Sequence, residues 1–157
     1  MNPNNIEIQA VIESSAQAYY RLVLIVGVVD SGKTLYVKDL SKKMNIPILN
    51  LNISLAEKLI GLSERQRKIQ CQVLLQEIVD SQSGQYLIID NIELLFDLSL
   101  SIDPLRALES VSRNKCLICT WPGSLQGEKL VYADANHTEY RSYNSNKLMI
   151  VNLNLNQ

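Results

Sequence analysis

The chain has 157 residues, 46% of them hydrophobic and 20% charged, which suits one soluble globular domain with a single substantial core. A formal net charge of −1 and a pI near 5.8 exclude a strongly basic footprint for nucleic acid or anionic membrane. No apolar stretch approaches the roughly 18 residues of a membrane span, and the start MNPNNIEIQ lacks the basic and apolar regions of a signal peptide, so a cytoplasmic protein with no membrane contact is expected.

Residues 6–20 place Ile8, Val11, Ile12, Ala16 and Tyr19 at helical spacing, predicting an amphipathic N-terminal helix that is also a candidate oligomer contact. A first strand over 21–26 leads into a glycine-containing loop and a helix over about 32–44, with Leu35, Val37 and Leu40 supplying its apolar side. Pro47 marks the approach to a second strand, 48–53. Ser63 and Gln66 have the spacing of a capping box, opening a long helix to about residue 80 whose Ile69, Val73, Leu74 and Ile78 repeat at helical intervals.

After a polar turn at 81–85, residues 86–89 form a compact apolar run ending at Asp90. Asp103 followed by Pro104 predicts the start of a short helix over 103–113. Residues 116–120 read as a buried strand halted by Trp121-Pro122-Gly123. Beyond Gly127, residues 130–133 suggest a short strand, 137–143 an irregular or one-turn helical excursion, and 148–153 a last strand. The terminal Asn-Leu-Asn-Leu-Asn-Gln alternates at period two, as in a strand reaching the surface. No linker divides the chain, which gives an N-terminal helix over 1–20, a core over 21–126 and C-terminal strands over 127–157.

The residues Gly27, Val28, Val29, Asp30, Ser31, Gly32, Lys33 and Thr34 spell G-x-x-x-x-G-K-[ST], the pattern of a phosphate-binding loop between a strand and a helix. Gly27 lets the chain leave the strand sharply, and Gly32 lets the backbone approach phosphates so that successive N–H groups face one anion. Lys33 is then expected to reach the β and γ phosphates, and the Thr34 hydroxyl to sit on a magnesium ion. The plainer reading is a glycine-containing strand-to-helix turn.

Tyr86-Leu-Ile-Ile-Asp90, about 56 residues after the loop, has the form of a Walker B strand, whose terminal carboxylate Asp90 would hold magnesium through a water or through Thr34. An Asp that merely ends a strand and caps the next helix is the alternative. Many ATPases of the additional-strand class place a glutamate directly after this aspartate to polarise the attacking water. Here that position is Asn91, and an amide accepts a hydrogen bond but cannot take a proton. Glu93 substitutes if the chain turns helically there, and is otherwise a solvated residue. Thr120 matches in place the residue that senses the γ-phosphate in AAA-like ATPases, provided its strand lies between the loop strand and the Asp90 strand; alternatively it is a β-favouring strand end. Arg113 and Arg141 are candidate charge donors, in cis or from a neighbour.

Other conspicuous residues have blander readings. Lys38, Lys42 and Lys43, and the group Arg65, Arg67 and Lys68, read as solvated helix faces. His137, the one histidine, sits in a polar loop. The odd number of cysteines, Cys71, Cys116 and Cys119, fits reduced thiols, and the C-x-x-C pair falls in a strand where residues three apart point to opposite faces, which argues against zinc or redox chemistry.

The combination of chain length, GVVDSGKT, LIIDNIELLF over 87–96 and HTEYRSY near the C-terminus resembles the small P-loop proteins called BrxF, which accompany type 3 BREX bacteriophage-defence systems. The resemblance spans nearly the whole chain. It implies an ATP-binding accessory component working beside larger defence proteins, including a DNA methyltransferase and a larger ATPase.

The expected architecture is therefore α/β: a three-layer P-loop NTPase fold with a mainly parallel sheet, of the additional-strand, AAA-like type, without a helical lid. About 37 residues follow Thr120, too few for that lid, so a partner or another copy would complete the site. ATP and magnesium are the expected ligands, although no base-reading motif such as N-K-x-D occurs. Three functions compete: a slow or partner-dependent ATPase acting as an assembly switch, a non-catalytic nucleotide-binding interaction protein, and a small-molecule kinase, which the missing arginine-rich lid disfavours. DNA contact is expected only through a complex.

Overall fold

A computed structural model describes residues 5–28, 30–133 and 136–156. The elements follow in order α1 (Asn5–Ser15), β1 (Leu22–Gly27), α2 (Lys33–Met44), β2 (Ile48–Asn50), α3 (Leu51–Leu59), α4 (Glu64–Asp80), β3 (Tyr86–Asp90), α5 (Pro104–Val111), β4 (Cys116–Pro122), β5 (Ser124–Gln126), β6 (Lys129–Tyr132), β7 (Arg141–Asn144) and β8 (Met149–Asn152). Short 3-10 turns cover Glu93–Phe96, Leu98–Leu100 and Leu153–Asn156.

Five strands form one sheet in the order β2-β3-β4-β1-β8, and every pair in it is parallel. β4 lies between β1 and β3. The molecule is thus α/β with a parallel central sheet, buried on both faces as such sheets must be. Alternation along the strands sorts side chains to two cores. Val23, Ile25, Ile88, Ile118 and Val151 meet Ile8 and Ile12 of α1 and Val37 and Leu40 of α2. Leu24, Val26, Leu87, Ile89, Leu117 and Cys119 join Leu55, Leu75 and Leu108 from α3, α4 and α5 on the other side. Because all five strands run the same way, Gly27, Asn50, Asp90, Pro122 and Asn152 end at one edge, the edge where such sheets collect ligands.

A second sheet, β5-β6-β7, is antiparallel. Trp121, fully buried, ties it to the main sheet by donating from Nε1 to Val131 O at 3.2 Å. Its ring meets Phe96 edge-on at 5.2 Å and Tyr143 at 5.8 Å, while Phe96 stacks on Tyr132 at 3.7 Å. These contacts seat the small sheet against the segment that follows Asp90.

Several expected elements change. The second strand stops at Asn50, whose side chain accepts from Ile53 N and caps α3; Leu51, Leu55 and Leu59 repeat at four-residue intervals and are buried, which favours helix over continued strand. The capping box of Ser63 and Gln66 is present on α4, but the buried stripe of that helix is Cys71, Leu75, Ile78 and Val79, while Ile69 and Val73 face solvent. Leu35 is likewise exposed on α2, and Tyr19 lies beyond the end of α1. Residues 141–144 form β7 instead of an irregular excursion, because Tyr143 pairs with Leu130 and packs on Trp121. The terminal alternation ends in a 3-10 turn after Asn152, whose Oδ1 accepts the Asn154 N–H at 3.0 Å and turns the chain.

The capped helix of Asp103 and Pro104 forms with Pro104 in its first turn and the Asp103 side chain accepting from Arg106 N. The three cysteines are free and buried; Cys119 belongs to the core beneath α3 to α5, and Cys116 lies near Ser15 of α1 on the other face. Among the described residues no helix is long and apolar enough to cross a membrane.

Candidate functional site

The loop after β1 is compact because its residues fold over one another. Gly27 is buried at the strand end, and a Cβ there would stand 2.2 Å from Ser31 Oγ and 2.9 Å from Lys33 Cγ. Its role is therefore to leave room for the returning loop. Asp30 and Gly32 hold the left-handed turn, at φ 64° and 89°, a conformation that glycine adopts without strain. Val28 O accepts the Ser31 N–H at 3.1 Å. Val29 lies outside the described residues.

Gly32 ends the loop and α2 begins at Lys33, so the first-turn N–H groups, which have no carbonyl to pair with inside their own helix, border an open recess of about 330 Å³ lined by Asp30, Gly32, Lys33, Thr34 and Leu35. Lys33 Nζ donates to Val28 O at 3.0 Å. Partial burial pulls its ammonium below the ordinary lysine range, opposed by the negative charges of Glu93, Asp90 and Asp30 in that order. The basic group is thus held in the loop with less solvent than a surface lysine has.

Asp90 lies at the end of β3 and is only 6% exposed. Thr34 Oγ1 donates to its Oδ2 at 3.0 Å across 56 residues, and Thr120 Oγ1 donates to its Oδ1 at 2.6 Å. The Asn91 N–H donates to the same Oδ1 at 3.0 Å. Two hydroxyls and one amide thus donate to this carboxylate; the parallel register of β3, β4 and β1 brings the two threonines there, and Asn91 follows Asp90 directly in the chain. Thr120, 2% exposed, lies on β4, between the loop strand and the Asp90 strand, with its hydroxyl committed to Asp90.

Asn91 takes a left-handed conformation, φ 57°, which turns the chain out of β3. Glu93 then opens a 3-10 turn and its Oε1 accepts from Asn52 Nδ2 at 3.2 Å. Asn52, missed in the sequence because residues 48–53 read as strand, also accepts the Leu94 N–H on Oδ1 at 2.8 Å and donates its backbone N–H to Asn91 O at 2.9 Å. A second recess, about 390 Å³, is lined by Asn52, Ala56, Glu93, Leu94, Asp97 and Glu139.

The other candidates are placed elsewhere. Arg113 follows α5 and packs over the Tyr19 ring at 3.8 Å, at the end of the sheet where β1 and β4 begin, so within its own chain it does not reach Asp90. Arg141 opens β7 and donates to Tyr140 O at 3.1 Å. His137 is exposed, and its Nδ1 accepts the Glu139 N–H at 3.0 Å, a turn contact. Among the described residues no group of three or more His, Cys, Asp or Glu side chains is arranged to hold a metal ion. A cation at Thr34 and Asp90 would therefore take its remaining ligands from water or a bound anion.

No family model matches the sequence, and no curated protein matches it. Among solved structures, the chain is similar to C. elegans PCH-2 with a TM-score of 0.45 and 17% identity, over 78% of this chain and 38% of that one. The chain thus spans well under half the length of that neighbour.

Proposed function

We propose that this chain is a P-loop NTPase of the additional-strand, AAA-like type, with no helical lid among its described residues, that binds magnesium and ATP. The observation that carries the reading is the bond from the Thr34 hydroxyl to Asp90 Oδ2, because it joins the two halves of a phosphate and magnesium site from opposite parts of the sequence. The insertion of β4 between β1 and β3 supports the additional-strand type. Lys33 would exchange its bond to Val28 O for phosphate oxygens, and the N–H groups at the start of α2 would donate to those oxygens. Thr34 and Asp90 would hold magnesium, which when bound supplies positive charge to the phosphate oxygens.

Hydrolysis is slow or depends on a partner in this reading. Asn91 cannot take a proton from water, and Glu93, the carboxylate nearest to that task in sequence, is engaged by Asn52. Nucleotide state would then control assembly with other copies or with other proteins. The resemblance to BrxF gives those proteins a class: components of a type 3 BREX defence system in the cytoplasm, with DNA reached only through the complex.

Titration of Mg-ATP into wild-type protein and Lys33→Ala tests the nucleotide site, and equal affinity for the two would remove it. A non-catalytic interaction protein is the second reading, favoured by the same engagement of Glu93. Phosphate release measured with and without partner proteins separates the two: sustained turnover lost in Lys33→Ala excludes a purely structural nucleotide. A small-molecule kinase would require transfer of labelled γ-phosphate to a nucleoside with little free phosphate released.

A further inference from the structure

We propose that Asn154 is a positioning residue for the phosphate loop, clasping it from the C-terminal turn. The proposal rests on the reading of Gly27 to Thr34 as a nucleotide-binding loop. Val28 N–H donates to Asn154 Oδ1 at 3.1 Å across 126 residues, and Asn154 Nδ2 donates to Gly123 O at 3.0 Å. One carboxamide therefore bridges the loop after β1 to the end of β4.

The chemistry selects this side chain. A carboxylate only accepts and an ammonium only donates, whereas a carboxamide offers both to one backbone N–H and one backbone C=O. Its own position is set from two directions. The Asn154 N–H donates to Asn152 Oδ1 at 3.0 Å, and Leu153, 4% exposed, anchors the turn in the core shared with α1 and α2.

Val28 is the pivot of the loop. Its carbonyl accepts both Ser31 N–H and Lys33 Nζ, and the lysine bond must break when Lys33 turns to a phosphate. At that moment the Asn154 bond to the N–H of the same residue remains, so the loop keeps its shape while its lysine changes partner. Holding the loop before the ligand arrives reduces the ordering entropy that binding would otherwise cost.

The experiment uses the full chain, labelled with ¹⁵N, and follows exchange of the Val28 amide without nucleotide alongside calorimetric titration of Mg-ATP. Val28 is 38% exposed, yet its amide is expected to exchange slowly in the wild type. Asn154→Ala is expected to lose that protection while β1 amides keep theirs, and to bind Mg-ATP about fivefold more weakly, the scale of one neutral hydrogen bond. Asn154→Asp keeps the acceptor but sets a carboxylate oxygen against Gly123 O, and is expected to restore Val28 protection only in part.

Exchange of wild-type Val28 at the free-peptide rate overturns the clasp, and that measurement stands even where a variant fails to fold. A lower melting temperature in Asn154→Ala with Val28 protection and affinity unchanged also overturns it. If wild-type protein does not bind Mg-ATP, the nucleotide reading and the positioning role fall together, while the Val28 exchange rate still reports whether the contact forms.

Discussion

Asn52 holds Glu93 by a bond of 3.2 Å from Nδ2 to Oε1, and the same carboxamide fixes the Leu94 N–H. The carboxylate closest in chain to Asp90 after Asn91 is thereby restrained at the rim of the site. Its charge is also the largest opposing influence on the lowered Lys33 ammonium. Freeing Glu93 is expected to raise basal phosphate release: Asn52→Ala should gain about tenfold, a small part of the range open to a general base, and lose the gain in the Asn52→Ala, Glu93→Gln double variant. Steady-state phosphate release measures both. No gain over wild type would make Asn52 and Glu93 a structural pair only.

Thr120 offers a contest between two explanations of one residue. If it is present for strand propensity, Thr120→Val is neutral or stabilising, because valine is at least as good in a strand. The 2.6 Å bond to Asp90 Oδ1 implies the opposite. Removing that donor leaves a buried carboxylate short of a partner and is expected to cost about 1–3 kcal/mol, lowering the melting temperature by roughly 2–4 °C for each kcal/mol in a domain of this size. Thr120→Ser keeps the hydroxyl and should lie close to wild type. Thermal denaturation of the pair decides it.

The loop and the Asp90 strand were legible because each is a contiguous pattern whose chemistry depends on local spacing. The contacts that complete the site are not of that kind. Asn52 meets Glu93 across 41 residues and Asn154 meets Val28 across 126, and neither leaves a periodic trace. Asn154 even sits in an alternating run that suggests a strand. The missed helix α3 did carry a signal, Leu51, Leu55 and Leu59 behind the capping Asn50, but a short apolar run after a proline fits a strand equally well. In α4 apolar residues lie on two faces, so Ile69 and Val73 repeat as regularly as the buried Cys71 and Leu75; only the packing partners choose between them.

Cys71 gives the protein a dependence on alkaline pH. It is 1% exposed, and burial pushes its thiol up from 9.0 to about 11. Above about pH 9 the unfolded chain releases this proton while the folded chain retains it, so the unfolded state gains. Stability contributed by the protonated thiol is thus complete below about pH 9 and is lost as pH rises toward about 11, at up to ~1.4 kcal/mol per pH unit. Chemical denaturation at pH 8, 9 and 10 should show a shallower decline for Cys71→Ala than for wild type. Parallel declines would mean that the thiol ionises alike in both states. Iodoacetamide at pH 8 should label the cysteines slowly in native protein and rapidly in denaturant.

The two loop glycines should respond differently to alanine, because they are required for different reasons. Gly32 needs a left-handed backbone, φ 89°, but a Cβ there meets nothing within 4 Å, so Gly32→Ala is expected to cost about 1–2 kcal/mol of backbone strain. At Gly27 the obstacle is Ser31, whose Oγ would lie 2.2 Å from a new Cβ and whose own Cβ would lie at 3.0 Å. Gly27→Ala must displace Ser31 and the stem of Lys33, and is expected to weaken Mg-ATP binding by tenfold or more, about 1.4 kcal/mol. That obstacle can be removed from the other side. Ser31→Gly takes away the two Ser31 atoms and leaves only the flexible Lys33 stem, its Cγ at 2.9 Å, and the buried Ser31 hydroxyl has no hydrogen-bond partner among the described residues, so its loss should cost little in itself. The Gly27→Ala, Ser31→Gly double variant is therefore expected to recover much of the lost affinity, while Ser31→Gly does nothing comparable for Gly32→Ala. Calorimetric titration across this double-mutant set measures the coupling directly. Additive losses for Gly27 and Ser31 would show that Gly27 is needed for backbone shape rather than for the space that the returning loop occupies.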